Sequence, residues 1–234
     1  MNAPRQFRQH RFAAAAGACE ILLVRHGESA PFVDGEPFPL VDGHADPPLH
    51  DPDGLRQAEQ VAERLVSTGE RISAVYVTTL QRTRQTAAPL LARLGMEARV
   101  EPDLREVFLG DWEGGLLRRK IAEGDPVAVQ MYDEQRWDVI PNGEPSDEFE
   151  ARVRVGIERI AAAHPDELVV AVVHGGVIGQ VMNIAAGTTG FRFNGADNAS
   201  IHHIVVESDR WIIRCFNDTS HLSPTFSTSP EPLT

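Results

Sequence analysis

Three short apolar runs in this chain each stop abruptly at residues suited to holding an anion. The first, Glu20–Val24, ends at Arg25-His26-Gly27. The second, Ser73–Val77, is followed within a few residues by Arg82, and the third, Leu168–Val173, is closed by His174-Gly175-Gly176. Apolar runs of this length with polar boundaries read as buried strands. Helical periodicity fills the stretches between them. Asp53 stands where an N-cap is expected, ahead of Leu55, Ala58, Val61, Ala62 and Leu65 on one helical face. Thr78 or Thr79 is placed to cap a second helix running to Leu94, with Gly95 as its stop signal. Ser146–Ala163 reads as a long helix, and Val177–Ala186 continues as another. Ile201–Val206 and Trp211–Phe216, with Ser208-Asp209 between them, read as a hairpin or two neighbouring strands. Strands alternating with helices predict an α/β fold, a three-layer α/β/α sandwich around a mostly parallel central sheet.

In an open α/β sheet, ligands bind in the crevice beyond the carboxyl ends of the strands. If the three strands are parallel neighbours, two arginines and two histidines converge there. That pocket would be a local exception, because the whole chain carries a formal net charge of -12. So acidic a chain is unsuited to non-specific nucleic-acid binding or to docking on an anionic membrane. Its 234 residues suit one domain, expected over 19–217, between flexible segments at 1–18 and 218–234. Cys19 and Cys215 do not make a disulfide framework, so a reducing, cytoplasmic setting is the default. The arginines before the alanine stretch at 13–16 imitate a signal peptide only loosely, since that stretch lacks Leu, Ile and Val. No run approaches the roughly 20 apolar residues of a membrane-spanning helix. No HExxH motif or zinc-spaced Cys/His cluster occurs, so no metal or other cofactor is expected.

LLVRHGES at 22–29 resembles the signature of the histidine phosphatase superfamily, the phosphoglycerate-mutase-like proteins. Four further blocks resemble the family's later ones in the family's order: DPPLHDPDGLRQAEQVAERL (46–65), VYVTTLQRTRQTA (75–87), LREVFLGDWEG (104–114) and VVHGGVI (172–178). The resemblance spans roughly residues 20 to 206 and implies the phosphoglycerate-mutase-like fold and a metal-independent phosphomonoester hydrolase. It implies that His26 is the nucleophile that becomes phosphohistidine and that Arg25, Arg82 and His174 hold the phosphoryl oxygens. Gly175 and Ser29 join them as substrate contacts, and Glu106 becomes the general acid for the leaving alcohol. The chemistry suits these residue types. A neutral imidazole nitrogen splits the transfer into two easier steps, while arginine binds phosphate through a planar fork that stays charged. Gly175 and Gly176 would let a helix N-terminus approach with its N–H donors. Glu106 must be protonated and His26 neutral, so the expected optimum is neutral to mildly acidic. The expected partner is a small phosphorylated substrate.

The same family core serves mutases. The chain lacks a WRR-type basic insertion, and its HGGVI block resembles the phosphatase branch rather than the HGN-type continuation of the mutases. Mutase chemistry is the alternative, and a non-catalytic phospho-ligand or partner binder is a second one. The mark of that second alternative would be a lost nucleophile or cradle arginine, yet Arg25, His26, Arg82, Glu106 and His174 are all present. Phe32 stands where many members have Asn, which removes a polar contact to the phosphate. Glu101, Asp111 and Glu113 compete with Glu106 for the acid's role. His44, His50, His202 and His203 have no obvious partners and read as structural or surface residues. Trp112, Met131, Tyr132 and Trp137 serve either core packing, the commoner use, or a substrate lid. Arg118-Arg119-Lys120 is either a solvated helix face or a reach towards an anionic substrate.

Overall fold

A computed structural model of the chain describes residues 6–223; the expectations for residues 1–5 and 224–234 lie outside the described residues. Strand β1 (Cys19–Arg25) is followed by a two-residue ribbon, β2 (Leu40–Val41) and β3 (His44–Ala45). Helix α1 (Asp53–Ser67), β4 (Ile72–Val77), α2 (Gln81–Leu94) and β5 (Ala98–Val100) come next. Two short helices, α3 (Leu116–Ala122) and α4 (Pro126–Glu134), precede α5 (Ser146–Ala163). Then β6 (Leu168–Val173), α6 (Gly175–Ala186), β7 (Ile201–Val206) and β8 (Trp211–Asp218) complete the chain. The main sheet has the order β5-β4-β6-β1-β7-β8, and only β7 runs against the others.

Successive side chains of a strand face opposite sides of a sheet, and here both sides are covered. Ile21 and Leu23 of β1 pack with Val169 and Ala171 of β6 against Phe149, Val153 and Ile157 of α5. Val24, Val170 and Val172 face the other way, against Val61, Ala62 and Leu65 of α1. The fold is therefore the three-layer sandwich that the alternation predicts. The crossover from β1 to β4 skips one position in the sheet, and β6 later fills it. Arg25 is consequently level with Val173, and Val77 with Val172, so three carboxyl ends share one edge.

Local details correct the sequence reading. Asp53 is the first residue of α1 rather than its cap; Pro52 holds the cap position, and the Asp53 carboxylate pairs with Arg56. Leu55 is 44% exposed, so it lies off the buried stripe. Neither Thr78 nor Thr79 caps α2, whose cap position is Leu80, although Gly95 does end that helix in the left-handed conformation (φ 64°). The ribbon, β5, α3 and α4 escape the periodicity because each offers too few residues to show a period. Outside the regular elements, Phe12 lies beneath the Arg214 guanidinium, and Gly17 N donates to Asp166 at 2.6 Å. Cys19 and Cys215 are free thiols. Among the described residues, no helix is long and apolar enough to cross a membrane.

Leu23 is fully buried in the middle of the sheet, so truncation leaves a cavity with no solvent path. Leu23→Ala is expected to cost about 2–5 kcal/mol of stability in urea unfolding. A cost below about 1 kcal/mol would show that this layer can collapse around the gap.

Candidate active site

His26 follows the last residue of β1, and its backbone N–H donates to Val173 O at 3.0 Å. The side chain is 6% exposed. Its Nδ1 lies 2.7 Å from Gly27 O. A carbonyl only accepts, so Nδ1 carries the proton and Nε2 presents a lone pair. Arg82, in the first turn of α2, points its Nε–H at that lone pair from 3.3 Å. Arg82 is itself held by Ala45 O at 2.9 Å and lies 4.0 Å from the Asp46 carboxylate. Burial, reinforced by Arg82 and Arg25, holds the His26 pKa well below the ordinary histidine value, so the ring is neutral. Burial also lowers Arg82, to about 10, which leaves it charged at neutral pH.

His174 follows β6, and its ring centroid lies 5.3 Å from that of His26. It is fully buried and held neutral by burial and by Arg82. Its Nε2 is 3.0 Å from Thr78 Oγ1, which in turn meets Thr83 Oγ1 at 3.1 Å. Its buried Nδ1 has no hydrogen-bond partner among the described residues. The Thr78 hydroxyl thus positions a histidine instead of capping a helix, a role that no local sequence signal reveals.

Glu106 accepts from Val107 N at 3.0 Å and from Gly176 N, at the start of α6, at 3.2 Å. A Cβ at position 176 would lie 2.5 Å from Glu106 Oε1, so this approach requires glycine. The backbone beneath Glu106 is clamped by Arg152 of α5, which donates to Asp103 O at 2.8 Å, Arg105 O at 2.7 Å and Glu106 O at 2.9 Å. The competing acids are tied up by other partners, although Glu113 lines the same cavity as Glu106. Glu113 braces the ribbon and the following loop by accepting from Ala45 N and Leu109 N. Glu101 binds Arg159, and Asp111 binds Asn142.

Arg25, His26, Ser29, Arg82, Glu106, Glu113, His44 and Arg118 line one cavity of about 110 Å³. A second cavity of about 90 Å³ shares Arg25, Glu106 and Arg118 and adds Gly175, Tyr132 and Trp137. His174 lines neither. Met131 is a core residue, Trp112 is buried in the core and also lines the first cavity, and Tyr132 and Trp137 face the second. Phe32 lines neither cavity; its ring packs edge-on against Phe38. The run at 118–120 divides: Arg118 turns inward to Ser29 Oγ and Ala30 O, both at 2.6 Å, while Arg119 and Lys120 pair outward with Asp34 and Asp125. The other histidines do have partners. His44 meets the Phe108 ring edge-on, His202 meets Ser200 Oγ and Asn217 N, His203 meets Glu20, and His50 meets Asp53. Among the described residues, Glu28, His50 and Asp53 form a half-exposed group with metal-ligand types; none of them lines either cavity.

The site is thus a mostly parallel sheet with two histidines and three arginines gathered at its carboxyl edge. Residues 21–219 match the model of the histidine phosphatase superfamily (branch 1), and the chain belongs to that family. It is 35% identical over 210 residues to phosphoglycerate mutase-like protein 4 of Arabidopsis thaliana, covering 88% of each chain. It is 34% identical to the metal-independent phosphoserine phosphatase of Arabidopsis thaliana, covering 87% of this chain and 83% of that one. The solved mycobacterial glucosyl-3-phosphoglycerate phosphatase in complex with inorganic phosphate superposes with a TM-score of 0.70 at 26% identity, covering 87% of this chain and 99% of that one.

Burial pushes His44 down to about 4 and His202 down to about 3. An unfolded chain binds these protons at the ordinary value of 6.5, so below that pH the unfolded state gains protons that the folded state refuses. Stability is therefore expected to be intact above about pH 6.5 and to decline as pH falls towards about 4. Urea midpoints across that range measure the decline. In the same samples, long-range 1H–15N spectra should show His26 as the Nδ1–H form; a His26 titration near 6.5 would contradict its neutral state.

Proposed function

We propose that this chain is a metal-independent phosphomonoester hydrolase working through a phosphohistidine on His26 Nε2. One observation carries the reading: a buried, neutral imidazole presents its lone pair to a cavity whose other walls include Arg25 and Arg82. A neutral nitrogen beside fixed guanidinium groups has one evident use, attack on an electrophile that carries negative charge.

In the first step, Nε2 forms a bond to phosphorus as the phosphorus–alkoxide bond breaks. Arg82 turns its Nε–H from Nε2 to a phosphoryl oxygen, and Arg25 holds another. The Thr78 hydroxyl donates to His174 Nε2, which leaves the His174 Nδ1–H for a third oxygen. Glu106 gives its proton to the departing alkoxide. In the second step, water attacks phosphorus, its proton passes to the Glu106 carboxylate, and the nitrogen–phosphorus bond breaks to release phosphate. The Gly176 N–H and the Arg152 clamp hold Glu106 through both steps. Ser29 and Gly175 complete the walls around the ester. The metal-independent phosphoserine phosphatase among the relatives supports the hydrolytic reading, and the mutase-like relative supports phosphoryl transfer between positions of one substrate.

Phosphate release from a panel of phosphomonoesters in EDTA tests the proposal. His26→Ala is expected to lose about 10³-fold or more of the rate. Phosphate migration without release would favour the mutase, and binding without either reaction would make the pocket a binding site. Glu106→Gln should cost about 10²–10⁴-fold on an alkyl phosphate, and far less on p-nitrophenyl phosphate, whose leaving group needs no proton. Equal losses on both esters, or a rate that keeps rising above about pH 8, would remove Glu106 from the acid's role.

A further inference from the structure

The last strand does not run evenly beside its neighbour. Ile201 of β7 pairs with Asp218 of β8 and His203 with Cys215, so two steps along β7 match three along β8. The surplus residue makes a bulge at Phe216-Asn217. Asn217 takes up the distortion in the left-handed conformation (φ 58°), which asparagine tolerates better than most residues with a side chain. Its N–H donates to His202 Nδ1 at 3.1 Å. Its side chain reaches the loop ahead of β7 and forms a reciprocal pair there. Oδ1 accepts from Asp197 N at 2.8 Å, and Nδ2 donates to the Asp197 carboxylate at 2.7 Å.

The loop so latched is the one that grips the end of β1. Ala196 O accepts from the Arg25 guanidinium. Ala199 N donates to Arg25 O at 3.0 Å and to His26 O at 3.2 Å, and Asn198 Nδ2 donates to His26 O at 3.0 Å. Arg25 N closes the set by donating to Ser200 O at 3.1 Å. Ala199 is left-handed too (φ 57°), a conformation that alanine adopts only where its surroundings impose it. Strain of this kind gathers at functional sites, where fixed geometry is what it secures. Neither Asn217 nor Asp197 lines a cavity of the site, so the pair can act only through the groups that the loop holds.

Arg25 needs such a hold because Glu106 attracts its guanidinium more strongly than Asp197 does. A guanidinium released from Ala196 O would turn to Glu106, vacating the phosphoryl position and occupying the proton donor. Resting on the hydrolase reading above, we propose that Asn217 is a positioning residue: by latching the loop at 196–200 through Asp197, it sets the Arg25 guanidinium where a phosphoryl oxygen meets it.

Calorimetric binding of inorganic phosphate tests this on the unsubstituted protein, on Asn217→Gly, on Asn217→Asp, and on Asn217→Asp combined with Asp197→Asn. Glycine keeps the left-handed backbone and deletes the latch. Asn217→Asp sets two carboxylates against each other, and adding Asp197→Asn re-forms the pair with its polarity exchanged. Each single substitution should weaken phosphate binding about 5- to 30-fold. The double substitution should bring it back to within about threefold of the unsubstituted protein. A lower urea midpoint with unchanged phosphate affinity would make the bulge a purely structural device and overturn the proposal. So would a folded double variant that shows no rescue. Should Asn217→Asp not fold, Asn217→Gly decides alone. Because phosphate binding needs no turnover, this pattern in a chain that hydrolyses no ester would sink the hydrolase reading alone. Hydrolysis with a phosphate affinity unmoved by Asn217→Gly would sink only the role of Asn217.

Discussion

Parallel pairing of β1 with β6 brings two distant stretches of chain to the same level of the sheet, and the whole site hangs on that register. Arg25 lies opposite Val173, and the His26 N–H continues the ladder by donating to Val173 O. The residue after each strand is therefore a histidine, and the two rings meet edge to face. A slip of one residue would turn one ring towards the opposite layer. The register is protected because both faces of both strands are buried, so any slip would exchange two complete sets of core contacts.

The electrostatics of the site follow from burial. Charge is expensive away from water, and the two histidines avoid it by remaining neutral, whereas the arginines cannot. A pocket built in this way holds nucleophilic nitrogen and fixed positive charge side by side. Neither cancels the other, because Arg82 lowers the proton affinity of His26 and so preserves the lone pair it faces. On the proposed reading, this is also how so acidic a chain receives a dianion. The carboxylates of the surface do not enter the pocket, and those that do, Glu106 and Glu113, are bound to backbone N–H groups.

The part of the structure that was legible in the sequence is the part fixed by local pattern. Apolar runs of six residues or so announced β1, β4 and β6, and the polar residues that stop them announced the edge where the histidines and arginines gather. Helix boundaries were legible at Gly95 and across Ser146–Ala163, where a stop signal or a long period exists. What stayed hidden depends on contacts between distant segments. The Thr78 hydroxyl looks like a helix cap from its neighbours alone, and only the arrival of β6 turns it to His174. Arg118, Arg119 and Lys120 are equivalent as sequence, and the docking of α3 against the loop at 29–30 is what sends the first of them inward. Phe32 reads as a missing polar contact, yet its ring lies with Phe38, beside which the Arg118 guanidinium stacks.

The two helical layers contribute different halves of the site. The α1 and α2 layer delivers Arg82 from one side of the sheet, through the first turn of α2. The α5 and α6 layer delivers Glu106 from the other, through the Arg152 clamp and the N–H of Gly176. The strand ends between them carry Arg25, His26 and His174. Arg152 suits the clamp because one planar fork reaches three backbone carbonyls and the Glu144 carboxylate at once, which a lysine ammonium on a flexible stem does not do. Donor and acceptor positions that must agree to within fractions of an ångström are thus set by separate packed layers, each rigid because its core is full. The sheet is the common reference that keeps Glu106 aligned with His26. That alignment was already fixed when β6 filled the place that the first crossover left open.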